Sequence, residues 1–127
     1  MNVAISTYAL ILASVLMSAL AQILLKTGMN GGTIRESLAQ AHWATSLGLI
    51  AFNPWVLGGL VVYFLSAGVW LLVLSRVQVS FAYPFVGLGF IVTMIAGWWM
   101  FGDNIGAQRI AGTALVGIGI VLIARGG

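Results

Sequence analysis

Ser14, Ser18, Gln22 and Lys26 recur every four residues along one apolar stretch. That interval keeps side chains on one slowly turning face of a helix. Two hydroxyls, an amide and an ammonium on one face can bond neighbouring helices or hold an anion. The rest of the reactive inventory is thin. The chain has seven charged side chains: Lys26, Arg35, Glu36, Arg76, Asp103, Arg109 and Arg125. It has one histidine, His42, and no cysteine, so thiol catalysis, disulfides and thiolate metal sites are excluded. One imidazole and two acids do not make a metal site. No pair of carboxylates and no Ser/His/Asp set can be assembled for catalysis. The expectation is a non-enzymatic protein without metal or cofactor, one that transports, gates or scaffolds.

The elements that must position these residues follow from composition. Hydrophobic residues make up 61 % of the 127 positions, charged ones 6 %, and the mean hydropathy is +1.13. A water-soluble domain needs far more charge on its surface, which excludes a soluble globular domain and a disordered tail. Five scattered basic residues cannot track a phosphate backbone, which argues against nucleic-acid binding. A spanning helix takes about 20 apolar residues, and the pattern predicts four of them. They run over about 3–25, 54–75, 81–101 and 107–124 of a single membrane domain. The fold class is therefore all-α integral membrane. Ala19-Leu20-Ala21 imitates a signal-peptidase site. The region before the apolar run has no Lys or Arg, and the run is longer than a typical signal core, so it is read as span one.

Gly28, Gly31 and Gly32 are expected to break the helix after Lys26. The connection 27–53 then carries a mixed segment, about 34–50, with Trp43 in its midst. It reads as one amphipathic helix in the membrane interface, the alternative being a loop outside the membrane. Asn53-Pro54 opens span two, with Pro54 where its missing N–H costs nothing. Asp103 or Asn104 can cap span four. Four spans put both termini on one side, with Arg76 and Arg125. Lys26, Arg35 and Arg109 fall on the other. With Lys26 discounted as intramembrane, the basic residues balance, and the positive-inside rule gives no orientation.

Within the spans, Ser14 and Ser18 fit ordinary helix packing. Lys26 is costlier in or near hydrocarbon unless paired or wet, and no apolar span supplies an acid to pair with it. An anionic ligand would fill that place. Tyr63, Ser66 and Trp70 share a face of span two, consistent with packing or ligand contact. Gly58, Gly59 and Gly68 permit close helix approach. Pro84 either kinks span three or simply starts it. Gly112 and Gly119 lie one heptad apart on span four, with Leu115 and Val116 between them. This seam suits either dimerisation or packing against another span.

Ala21-Gln22-Ile23-Leu24-Leu25-Lys26, Trp70-Leu71-Leu72-Val73-Leu74, and Ala82-Tyr83-Pro84 through Gly97 resemble the drug/metabolite transporter superfamily. Within it the chain is similar to the four-helix small multidrug resistance proteins and to the subunits of the aminoarabinose-phosphoundecaprenol flippase. The resemblance covers the four spans but not 27–53, a connection longer than those branches have. Small multidrug exporters carry a glutamate eight residues before a lysine in the first span, and here Ser18 holds that position. The flippase branch is closer, through Gln-x-x-x-Lys ending span one, the Trp-Leu-Leu-Val-Leu run and Tyr-Pro opening span three. The resemblance implies a half-transporter in a bacterial-type inner membrane, completed by a second copy or a related partner.

Charge sign and resemblance converge on a flippase for an anionic polyprenyl-phosphate lipid, with or without a linked sugar. Lys26 and Gln22 are expected to hold the phosphate, with Ser18 on the same face and Tyr83 donating from span three. Tyr63, Trp70 and Phe90 are expected to line the prenyl groove, and Arg76 and Arg109 to recruit headgroups at the two mouths. Gly112, Leu115, Val116 and Gly119 form the expected dimer seam. Two alternatives are an exporter of lipophilic or small cations and a non-transporting subunit that scaffolds a glycosyltransferase.

Overall fold

The computed structural model describes residues 3–126. Seven helices follow in order: α1 (Ile5–Met29), α2 (Gly32–Ala39), α3 (Trp43–Ala51), α4 (Pro54–Leu74), α5 (Val79–Ala82), α6 (Val86–Phe101) and α7 (Ala107–Gly126). A 3₁₀ turn, Tyr83–Phe85, joins α5 to α6, and together they make one membrane-length segment, Val79–Phe101. With α1, α4 and α7 this gives four helices long and apolar enough to span a bilayer. Pro84 sits inside the 3₁₀ turn, so it neither opens the span nor breaks it: three residues of tighter winding absorb its missing donor.

Helix α1 runs through the glycine where a break was expected. Gly28 is buried inside it, because α4 comes too close there for a side chain. A Cβ on Gly28 would stand 2.7 Å from Val56 Cγ2 and 2.8 Å from Asn53 Oδ1. The Thr27 hydroxyl donates to the Ile23 carbonyl at 2.8 Å, which fits the extra turn. Gly59 on α4 serves the same close approach one level deeper, where a Cβ would meet Leu25 at 2.9 Å and the Ala21 carbonyl at 3.1 Å. Gly58 and Gly68 have nothing within 4 Å and take no part in it.

Asn53 caps α4. Its Oδ1 accepts from the backbone N–H groups of Trp55 (2.9 Å) and Val56 (3.2 Å), with Pro54 in the first turn. At α7 the cap falls elsewhere than expected. The Ile110 N–H bonds the Gly106 carbonyl, so Gly106 and not Asp103 or Asn104 holds the first helical bond. Asp103 instead closes α6, its N–H donating to the Gly97 carbonyl after a left-handed Gly102 (φ 69°).

The connection between spans one and two is two helices rather than one interfacial helix over 34–50. Ala41 turns left-handed (φ 57°) and separates α2 from α3. The Ser46 hydroxyl donates to the His42 carbonyl at 2.7 Å, and the Ser37 hydroxyl donates to Ser46 Oγ at 2.7 Å. The Ser37–Ser46 bond links α2 to α3 across the turn, and Ile34 of α2 is buried.

The core gathers toward the end that bears the termini. Ile11, Val15, Val73, Phe81, Phe85 and Ile120 are buried there together. Tyr8 meets both Phe81 and Phe85 edge-on, with ring centroids 6.2 and 6.1 Å apart.

Candidate functional site

A cavity of about 550 Å³ lies between spans one, two and three. This is within the usual size of a small-molecule site, roughly 300–1,000 Å³. Its walls bring together six of the nine residues expected to meet the substrate: Ser18 and Gln22 from α1, Tyr63 and Trp70 from α4, Tyr83 from the 3₁₀ turn, and Phe90 from α6. Helical spacing explains the first four, and the joint at Pro84 carries Tyr83 to the same wall. The Tyr83 and Trp70 rings meet edge-on at 6.5 Å and 75°.

Ser66 and Thr93 also line the cavity. Thr93 went unremarked in the sequence, although Val86, Gly89, Phe90 and Thr93 have the spacing of one helix face and all four contribute to the wall. Their hydroxyls are spent locally. Ser66 donates to the Tyr63 carbonyl (2.7 Å) and Thr93 to the Phe90 carbonyl (3.1 Å). Ser14, also in the wall, is buried and donates to the Ser66 carbonyl at 3.1 Å, tying α1 to α4. Among the described residues, the polar groups left to meet a ligand are the Ser18 hydroxyl, the Gln22 amide, the Trp70 indole N–H and the phenols of Tyr63 and Tyr83.

Among the described residues, none that lines the cavity is charged. Lys26, expected to hold a phosphate beside Gln22, is outside the wall. It is exposed in the last turn of α1, one turn past Gln22 and about 6 Å further along the axis. The two arginines are outside too. Arg76 donates from Nη1 to Ser6 Oγ at 3.1 Å, bracing the start of α1 against the loop after α4. Arg109 donates to the Asn104 carbonyl at 3.1 Å, holding the turn before α7. Both stand at opposite ends of the bundle and are committed to their own loops.

The expected seam on α7 divides in the structure. Gly112 and Leu115 are exposed and Gly119 is open, with nothing within 4 Å of a Cβ at either glycine. Val116 turns inward, against Gly87 of α6 and the core. One residue on a helix rotates the side chain by about 100°, which carries Val116 off the face that Leu115 occupies.

The chain is 31 % identical over 117 residues to the probable 4-amino-4-deoxy-L-arabinose-phosphoundecaprenol flippase subunit ArnE of Pseudomonas paraeruginosa, covering 92 % of this chain and 96 % of that one. The subunit of the same name in a Pseudomonas aeruginosa strain is 32 % identical over the same coverage. The uncharacterised protein y4nH of Sinorhizobium fredii is 34 % identical over 119 residues, 93 % of this chain and 94 % of its own. No protein-family model matches the chain, and no solved structure matches it. A match of 117 of 127 residues runs through the connection 27–53, which the motif resemblance did not reach.

Four membrane-length helices, three of them lining the cavity, and these relatives together define a small multi-pass membrane protein of the flippase and transporter class. The chain belongs to the ArnE family of aminoarabinose-phosphoundecaprenol flippase subunits, within the drug/metabolite transporter superfamily.

Proposed function

We propose that the protein is one half of a translocase for an anionic polyprenyl-phosphate lipid bearing a sugar headgroup, working in a bacterial-type inner membrane. The observation that carries this is the sign of the charge around the cavity. Among the described residues the wall holds no carboxylate, and one helical turn from its Gln22 end stands the ammonium of Lys26. A lipophilic cation would enter such a cavity without a counter-charge, and burying an unpaired charge is expensive. Ser18 stands in the wall where a drug exporter of the resembled branch has its glutamate, and a hydroxyl cannot take that role. A phosphate oxygen, by contrast, gains charge-assisted hydrogen bonds from an ammonium. The Lys26 ammonium holds the phosphate at the cavity mouth, Gln22 and Tyr83 donate from within, and the prenyl tail leaves toward lipid past Phe90 and Tyr63.

Four spans without an internal repeat supply one half of an alternating-access transporter, and a second copy or a related subunit supplies the other. The fourth span is the surface for it. Only 6 % of it is buried in the monomer, against 22–28 % for the other three.

The test is native mass spectrometry of the purified protein with polyprenyl phosphate and a lipophilic cation in competition. The phosphate lipid is retained, and Lys26→Ala weakens its retention by about 10- to 100-fold, the worth of a hydrogen bond to a charged group. Retention of the cation by the unaltered protein, or phosphate-lipid binding untouched by Lys26→Ala, overturns the reading.

A further inference from the structure

The hairpin of α2 and α3 has two unlike outer surfaces. On α2 the exposed residues include Thr33, Arg35 and Glu36, and exposed Gln40 follows its last turn. On α3 they include Trp43 (65 % exposed) and Leu47 (68 %), one turn apart, and Phe52 follows at 83 %. The polar side chains of Ser37 and Ser46 are turned inward and bonded to each other, which leaves Thr45 as the exposed polar side chain of α3, two residues from Trp43 and from Leu47. The hairpin is also fixed in place. Ile34 is buried beneath it, and at its two ends Asn53 Nδ2 donates to the Gly28 carbonyl at 3.5 Å while Gly28 packs on Val56. A free loop in water would not be built with one polar helix and one apolar helix locked back to back.

We infer that the hairpin is an interfacial platform, with α3 seated in the boundary between headgroups and acyl chains of the protein's own bilayer and α2 facing water. The occupant is the lipid surface because the apolar patch runs on into one. Span two begins at Pro54, two residues after Phe52, and its exposed Trp55 continues the patch onto a helix of membrane length. Tryptophan at this level is at home, with its ring among acyl chains and its N–H among headgroups. The seated helix fixes the depth at which α1 ends, and therefore keeps Lys26 at headgroup level rather than in hydrocarbon or free water. This placement does not depend on what the cavity binds.

The absence of cysteine makes the test direct, since single thiols can be introduced one at a time. Leu47→Cys and Arg35→Cys are spin-labelled in vesicles of phosphatidylethanolamine and phosphatidylglycerol. Their collisions with oxygen, which concentrates among acyl chains, and with a water-soluble nickel chelate are then compared. The Leu47→Cys label is open to oxygen and shielded from nickel, at a depth of about 5–10 Å, while the Arg35→Cys label is open to nickel. Phe52→Cys carries the same measurement should Leu47→Cys fail to insert. A label on α3 as open to nickel as that on α2 puts the hairpin in water and overturns the inference. A label on α3 shielded from both reagents means that a protein surface covers it, and overturns it equally.

Discussion

The Ser14 hydroxyl donates to the Ser66 carbonyl at 3.1 Å, joining α1 to α4 in the wall of the cavity. Both residues are buried, and Ser66 spends its own hydroxyl on the Tyr63 carbonyl. The contact is therefore structural. Ser14→Ala is expected to cost about 0.6 kcal/mol and at most about 1.7, the measured range for such bonds between membrane helices. Reversible unfolding in mixed micelles reads this, and phosphate-lipid retention should stay unchanged. A large loss of retention with little loss of stability would move Ser14 from the scaffold into the binding site.

Glycines on α4 offer a matched pair. Gly59→Ala sets a methyl against Leu25 and the Ala21 carbonyl and is expected to destabilise by about 1–3 kcal/mol, as overpacking does. Its neighbour Gly58 has open space, so Gly58→Ala is expected to be neutral or to stabilise by up to about 1 kcal/mol through helix propensity. Unfolding midpoints of the two variants check this directly. Equal effects at the two sites would mean that α1 and α4 do not approach as closely as the structure has them.

These pairs also show where sequence reading reaches and where it stops. Periodicity put Ser18 with Gln22 on one face of α1 and Tyr63 with Trp70 on one face of α4, because a helix of known pitch leaves little freedom, and all four line one cavity. Length and apolarity placed the four spans for the same reason. Contacts between helices were not legible. Nothing in the local pattern distinguishes Gly59 from Gly58, or tells that Gly28 continues a helix rather than ending it, since both depend on where α4 lies. The two-helix hairpin was missed because Ala41 is an unusual residue at positive φ, and its stabilising partners, Ser37 and Ser46, are nine residues apart. Thr93 was overlooked although its spacing was available.

Ser18→Glu tests the charge argument by reversing it. The substitution puts a carboxylate into a wall that has none. The variant is expected to lose phosphate-lipid retention by at least about tenfold, a like-charge penalty of about 1.4 kcal/mol. It should gain retention of a lipophilic cation, strongest where the new carboxylate is ionised and fading as it is protonated at lower pH. Competition measurements at several pH values between about 5 and 8 read both changes. An unaltered preference would show that Ser18 does not face the ligand.

Tyr83 carries two separable roles. Its ring meets Trp70 edge-on, and its phenol is free to donate to a bound phosphate or sugar. Tyr83→Phe keeps the ring and removes the donor, so stability should hold while lipid affinity falls about 2- to 10-fold, the worth of one neutral hydrogen bond. Tyr83→Ala removes both, and should also lower the unfolding midpoint. If Tyr83→Phe binds as well as the unaltered protein, the phenol is no ligand contact and Tyr83 is only half of an aromatic pair.

Glycines on two sides of α7 separate assembly from folding. Gly119 opens outward with nothing within 4 Å of a Cβ, whereas Gly87 of α6 receives Val116, and a side chain there would collide with it. Gly119→Leu should therefore fold normally as a monomer but hold the partner's helix away, weakening association in detergent or nanodiscs by at least about tenfold. Gly112→Leu, on the same open surface, should act alike. Gly87→Leu should instead destabilise the monomer by about 1–3 kcal/mol through overpacking, with assembly failing only as a consequence. Mass measurements of the assembled species, paired with unfolding midpoints, distinguish the two patterns. If Gly119→Leu associates as tightly as the unaltered chain, the second subunit docks elsewhere, and the exposed face of α7 meets only lipid.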